Sequence, residues 1–264
     1  MNQLIRKILD NKKEEVDAAK AVLPLADLKI KAGENDGDIR SLSGGLESCA
    51  SKHKIIAEIK RVSPGTGFSR MDFDPVAIGK GYQKSGAGAI SVLTDYRFFG
   101  GTLNSLVSVR NAVTLPILRK DFILDIYQVY EARAYGADAI LIMAINFDSK
   151  MEIADLCGAA TELGMDVLFE VHTEEEVAMI PETPVLVGIN NRDFRSDDLV
   201  VDIDTTRRLL PMVDDSKFIV CESGIRDASM MTELEGLGVN AFLIGSAFME
   251  ADDPGTELRR FLKR

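Results

Sequence analysis

Histidine, cysteine, long apolar runs and net positive charge are all scarce in this chain of 264 residues. Two histidines, His53 and His172, leave few candidates for a zinc site or a histidine-relayed nucleophile. The three cysteines, Cys49, Cys157 and Cys221, are widely separated and lack C-x-x-C spacing, so neither a metal clip nor dithiol redox chemistry is expected, and a reducing cytoplasm is. No stretch approaches the roughly 20 apolar residues that a membrane span needs. The first residues, MNQLIRKILDNKKEEVD, mix both charges into their apolar pattern, unlike a signal peptide. Lys and Arg number 31 against 42 Asp and Glu, a net charge of −11 that disfavours nucleic acid as the main partner. A local basic pocket stays open.

What is present is a chain that folds. Apolar residues make up 46% and charged residues 28%, the balance of a globular protein with a real core, and the length suits one sizeable domain. A Gly/Asp-rich stretch at 33–45 (GENDGDIRSLSGG) sets off residues 1–48 as a helical extension packing on residues 49–264. Leu4, Ile5, Ile8 and Leu9 fall at helical spacing there and predict an amphipathic helix lying on a larger body.

Eight short apolar runs follow, beginning near residues 55, 89, 116, 138, 166, 185, 217 and 240, with helical periodicity between them. Asp74-Pro75 reads as a helix start, and Ser149-x-x-Glu152 and Thr173-x-x-Glu176 read as capping boxes. Gly86, Gly136, Gly164 and Gly238 each precede a run by about three residues, where a helix ends in a left-handed conformation. Eight strand-helix units in one domain predict an α/β fold, a (βα)8 TIM barrel with an N-terminal helical extension. The competing open doubly wound sheet would carry G-x-G-x-x-G after its first strand, and SPGTGFS is not that pattern.

Barrel sites form where strands end, and here those ends are ionic. Glu58 and Lys60 end the first run, Lys120 the third, Glu170 the fifth, Asn190 then Arg192 the sixth, and Glu222 the seventh. One lysine after an apolar run is ordinarily a solvated strand end; five such strands together predict a converging Lys/Glu set suited to acid-base chemistry. Alternation puts Ile56, Glu58 and Lys60 on one face, likewise Leu118 with Lys120, Leu168 with Glu170 and Gly188 with Asn190. Ser223-Gly224 and Gly245-Ser246, after the seventh and eighth runs, predict a phosphate site completed by a short helix in AFMEA (247–251) and by Ser63 from the first loop. His172 reads as a loop histidine and Cys221 as a small core residue facing away from the mouth.

The stretches IIAEIKRVSPGTG (55–67), SVLTDYRFFGGTL (91–103), LPILRKDFILDIYQVYEARAYGADAILI (115–142), LFEVHTEEEV (168–177), VGINNRDF (187–194), ESGI (222–225) and AFLIGSAFM (241–249) resemble the indole-3-glycerol phosphate synthase family. The resemblance implies a cofactor-free lyase of tryptophan biosynthesis acting on a small anionic phosphosugar, with no membrane partner, and leaves contact with other enzymes of that pathway open. It implies Lys120 as general acid on the substrate carbonyl, Lys60 on the anthranilate carboxylate with a share in dehydration, and Glu170 as general base. Glu58 and Asn190 would orient the intermediate, Arg192 and Glu222 would support the mouth, and Phe99 and Leu243 would form the slot for the aromatic ring. Ser63, Ser223, Gly224, Gly245 and Ser246 would hold the phosphate. One departure is Gly65, where many relatives carry Ser. Two other readings share some of these features: another phosphosugar-handling barrel, which does not require Glu58, Lys60, Lys120 and Glu170 together, and a non-catalytic phosphate-binding barrel, which predicts that one of them is lost.

Overall fold

Each of the eight β-branched runs forms a strand, and the strands close on one another. The computed structural model describes residues 2–35, 37–64, 67–196 and 198–263, so Gly65 and Thr66 of the first loop lie outside the described residues. The strands are β1 (Ile55–Ile59), β2 (Ala89–Leu93), β3 (Ile117–Lys120), β4 (Ala139–Met143), β5 (Asp166–Val171), β6 (Leu186–Asn190), β7 (Ile219–Glu222) and β8 (Ala241–Ile244). Each pairs in parallel with its sequence neighbours, and β8 returns to β1 with Leu243 opposite Ile56. The closed ring is a TIM barrel and disposes of the open-sheet alternative.

Alternation divides every strand between two cores. Ile55, Ala57 and Ile59 pack outward under the helical ring, whereas Ile56 packs inward with Ala89, Leu118, Ala139, Leu168, Val220 and Leu243. The four repeat glycines all have positive φ, from 78° at Gly164 to 116° at Gly238, and end their helices as the sequence predicts. Asp74 caps its helix by accepting the Val76 and Ala77 N–H groups ahead of Pro75. Both expected helix starts form, with Thr173 accepting the Glu176 N–H, but neither box is reciprocal. Ser149 caps through the Met151 N–H, and Glu176 reaches past Thr173 to accept the backbone N–H of His172 at 2.6 Å. The reciprocal box instead joins Asp125 and Gln128.

Three helices precede β1: α1 (Gln3–Val22), α2 (Leu25–Glu34) and α3 (Leu42–Ser48). They meet the barrel at different places. The apolar face of α1 sets Ile5, Ile8 and Leu9 into the same inner cluster as Phe122 and Leu243, over the carboxyl ends of the strands. Leu42 and Leu46 of α3 close the opposite end, beside the strand-opening residues Ala89, Ala139 and Ala241. A side chain at Gly45 would stand 2.5 Å from the ring of Pro116, so only glycine lets α3 approach this closely.

One charge fixes α1 in place. Lys12, 3% exposed, lies 3.0 Å from Asp95 and 2.9 Å from Asp121, the residue after Lys120. Asp121 also takes Arg119 at 3.0 Å and the Thr94 hydroxyl at 2.7 Å. Burial alone would raise the Asp121 carboxyl, but Lys12 and then Arg119 hold it down to about 2. Replacing Lys12→Ala strands the buried Asp95 carboxylate and leaves Asp121 with Arg119 as its one cation, so urea denaturation should show a loss of about 3–5 kcal/mol. A loss under about 1 kcal/mol, the scale of an exposed pair, would mean that the apolar face alone holds α1. Because the Asp121 value is depressed, its stabilisation is complete above the ordinary 3.8 and disappears as pH falls through about 2.

Candidate active site

Inward-facing residues at the carboxyl ends of the strands meet in a cavity of about 340 Å³ beneath α1. Its wall includes Glu58, Lys60, Lys120, Asn190, Arg192 and Glu222 from the ionic strand ends, and Ser63, Ser223, Gly224, Gly245 and Ser246 from the expected phosphate corner. Phe99 and Leu243 also line it. Glu170 does not. It is fully buried one layer down and meets the cavity through Lys120, whose Nζ lies 3.1 Å from its Oε2.

Two lysine-carboxylate clusters result. Lys60 lies 3.0 Å from Glu58 Oε1 and donates a 2.9 Å hydrogen bond to the Ser246 hydroxyl, which joins the carboxylate side of the cavity to the phosphate corner. Lys120 lies between Glu170 and, at 3.5 Å, Glu222. Burial disfavours the Lys120 charge, but Glu170, Glu222 and Glu58 outweigh it and keep the amine protonated. The carboxylates diverge. Burial pushes Glu170 up, yet Lys120 and then His172 hold it well below the usual carboxylate range. Glu222 is also pushed up by burial; Lys120 opposes this, but Glu170 and Glu58 add to it, and its value is raised. Neighbouring carboxylates driven apart in this way can divide proton donation and acceptance.

Two glycines make room for these acids. A Cβ at Gly245 would stand 2.2 Å from Glu58 Oε1, and one at Gly188 2.3 Å from Glu222 Oε1. Gly245 thus has a spatial role beside the phosphate role read from sequence. It also precedes the short helix Ser246–Met249, close to where the sequence puts it. Ser223 and Gly224 both take positive φ, 65° and 78°, so the β7 loop turns sharply at the corner. Serine is strained there, and Asn191 holds the turn by donating from Nδ2 to the Glu222 and Ser223 carbonyls while its Oδ1 accepts from Thr206.

The apolar part of the cavity wall extends beyond Phe99 and Leu243. Phe122 packs 6.2 Å from Phe99, and Leu4, Ile5, Ile8 and Phe194 complete its apolar walls. The helical spacing of Leu4, Ile5 and Ile8 predicts contact with the body but not which end they cover. Arg226, an exposed cation on the cavity rim, carries no strand-end signal and escapes sequence reading.

His172 lies in the loop after β5, as the sequence reading has it, but it is not a solvated loop residue. It is buried, at 5% exposure, with Nε2 3.0 Å from Glu170 Oε1 and Nδ1 3.0 Å from Glu176 Oε2. The E-x-H-x-x-x-E spacing of Glu170, His172 and Glu176 was the one signal pointing to it. Among the described residues no three His, Cys, Asp or Glu side chains converge on a metal-binding geometry. Cys221 does face outward, against Asn191 and Thr206.

Comparison with known proteins agrees with this geometry. The family model described as indole-3-glycerol phosphate synthase matches residues 5–261. A curated indole-3-glycerol phosphate synthase from Laribacter hongkongensis (strain HLHK9) is 45% identical over 263 residues, covering 98% of each chain. The crystal structure of KGPDC from Streptococcus mutans superposes with a TM-score of 0.58 at 13% identity, over 80% of this chain and 98% of that one, which speaks for the barrel fold alone.

The glycine argument is open to direct test. Gly188→Ala meets only the free end of Glu222, so the variant should fold and melt within a few degrees of the parent while its Glu222 side chain turns away from Lys120 in a crystal structure. An unmoved Glu222 would show that the backbone of β6 yields instead.

Proposed function

Since the chain belongs to the indole-3-glycerol phosphate synthase family, we propose how its cavity divides that family's reaction among named residues. The enzyme is a carboxy-lyase of tryptophan biosynthesis that closes the ring of 1-(2-carboxyphenylamino)-1-deoxyribulose 5-phosphate, releasing carbon dioxide and water to give indole-3-glycerol phosphate.

Ring closure joins the carboxylate-bearing aryl carbon to the sugar carbonyl carbon, and the carbonyl oxygen takes up charge as the bond forms. Lys120 donates a proton to that oxygen. Its firmly held proton is no obstacle, because the developing alkoxide is a stronger base than an amine. Carbon dioxide then leaves, and its bonding electrons restore the aromatic ring. Dehydration expels the new hydroxyl, protonated by Lys60, and removes a proton from the adjacent carbon to Glu170. Once Lys120 has lost its charge, Glu170 loses its main counterion and becomes more basic, so the acid step prepares the base step.

The remaining residues hold the substrate. Lys60, between Glu58 and Ser246, receives the anthranilate carboxylate, with Glu58 and Asn190 orienting the intermediate and Arg192 and Glu222 supporting the mouth. Ser63, Ser223, Gly224, Gly245 and Ser246 hold the phosphate, aided by the short helix Ser246–Met249. Phe99 and Leu243, under the α1 roof, hold the ring. The observation that carries the reading is the contact of Lys120 with Glu170 on the floor of this cavity, an acid and a base of one site in ion-pair contact. Among the described residues no helix is long and apolar enough to cross a membrane, and a phosphorylated metabolite is a cytoplasmic substrate.

Turnover can be followed by indole fluorescence, since the chain contains no tryptophan. Lys120→Ala should lower kcat by at least the roughly 10²–10⁴ that a positioned acid contributes, with little change in affinity for a phosphate-bearing product analogue. Parallel loss of affinity would mark Lys120 as a binding residue. A parent enzyme that binds the substrate without releasing carbon dioxide or forming indole would overturn the reading.

A further inference from the structure

Beneath the cavity a line of alternating charges runs from Lys120 to the segment after β6. Glu170 Oε2 faces Lys120, and its Oε1 faces His172 Nε2 at 3.0 Å. His172 Nδ1 faces Glu176 Oε2 at 3.0 Å, and Glu176 Oε1 takes Arg195 Nη2 at 2.6 Å. Glu176 holds the histidine twice, because the same Oε2 accepts the His172 backbone N–H. Phe194 packs edge-on against the imidazole, with ring centres 5.3 Å apart, and its other side lines the cavity.

We infer that His172, carried by Glu176 and Arg195, is a positioning residue for the reaction: its charged imidazole fixes the orientation of the Glu170 carboxylate and supplies the counterion that remains when Lys120 gives up its proton. The inference rests on the reading of Glu170 as base. Its physical ground is that Glu170 has no exposed surface. A carboxylate so placed loses much of its stability as an anion when its only partner becomes neutral. A second cation 3.0 Å away, outside the cavity and not consumed by the chemistry, keeps the charge in place. Glu170 Oε1 and His172 Nε2 face each other, and the pairing both lowers the carboxyl and raises the imidazole.

The charged groups around His172 are few. Glu170 comes from β5 and Glu176 from the helix Glu174–Val177; Asp193, Arg195, Asp202 and Arg208 lie around the small cavity on its other side. Burial alone would lower the imidazole value, but Glu170 and Glu176 push it up to about 9. The raised value means that the charge is present throughout the neutral range and is lost as pH rises through about 9.

Two experiments on the full chain test this. Only His53 and His172 contribute imidazole signals, so nitrogen-15 NMR of the resting protein reports the state of His172 without turnover. Both its nitrogens should carry protons at pH 7, with titration near 9, moving lower in Glu176→Gln and in Glu170→Gln. In kinetics, His172→Gln and Glu176→Gln should lower kcat by about 10- to 100-fold, part of the roughly 10²–10⁴ of a positioned base, with KM changed by less than about threefold. In His172→Gln the acid limb of the kcat profile should move to higher pH, because Glu170 has lost a counterion. A neutral imidazole at pH 7, an unmoved acid limb, or a kcat loss matched by a lower melting temperature with an unchanged profile would each overturn the inference. Full turnover in Glu170→Gln would instead refute the base reading and leave the NMR test of the His172–Glu170 pairing standing.

Discussion

A lysine held between two buried carboxylates is the interaction on which the site and much of its surroundings depend. Lys120 keeps its charge in the barrel interior only because Glu170 and Glu222 face it, and Glu170 stays ionised only because Lys120 and His172 face it. Glu170 and Glu222 are buried beside Lys120, so the amine is their ionic partner in place of water. Such an arrangement tolerates little change in any one member, since each unpaired buried charge costs several kcal/mol. The small residues nearby follow from the same constraint. Gly188 and Gly245 lie on inward-facing positions where a TIM barrel would ordinarily place bulky apolar residues, and their missing side chains are the volume that Glu222 and Glu58 occupy.

Charge pairing also ties the extension to the chemistry. Lys12 on α1 is paired with Asp121, and Asp121 follows Lys120 at the end of β3. Strand alternation turns the Asp121 carboxyl toward Arg119, Thr94 and Lys12 while Lys120 points into the cavity. The helix α1 is thereby tied by a buried ion pair to the backbone that carries Lys120. The Asp95 contact adds the β2 loop, because Asp95 also caps the short helix Tyr96–Phe99 that presents Phe99 to the ring slot.

The barrel was legible because its signals are local and repeated. Eight β-branched runs, four glycines ending helices and the two-residue alternation of each strand are written within a few residues of where they act, so strand periodicity by itself places Glu58, Lys60, Lys120, Glu170, Asn190 and Glu222 on one inner surface. The failures share a different property. Lys12, His172 and Asn191 take their meaning from partners on other elements: Lys12 from Asp121, His172 from Glu170 and Arg195-bound Glu176, Asn191 from the β7 turn. Read alone, Lys12 is a solvated helix lysine and His172 a loop histidine. The Thr173–Glu176 signal marks its helix start correctly but does not show that the Glu176 carboxylate goes to His172, whose other partner is on β5. Nor does periodicity show that α3 closes the far end of the barrel, because an apolar pair such as Leu42 and Leu46 does not specify its destination.

An acidic protein that takes an anionic substrate has to separate its charges, and the pairing of lysines with buried carboxylates is how the separation is achieved. The net charge of −11 is spread over the whole chain, whereas the cavity wall offers Lys60, Lys120, Arg192 and, at its rim, Arg226. In the resting site the two lysines are already matched by Glu58 and by Glu170 with Glu222, so the wall is not a bare cationic hole. The substrate's carboxylate and phosphate must compete with these internal anions. On the proposed reading Lys60 is the group that makes this exchange, since it donates to the Ser246 hydroxyl on one side and faces Glu58 on the other. The lysines are oriented by these partners before the ligand arrives, which reduces reorganisation in the reaction itself. The raised value of Glu222 fits the same scheme: of the two carboxyls beside Lys120 it gives up its charge the more readily, so Glu170 is the stronger counterion of the amine.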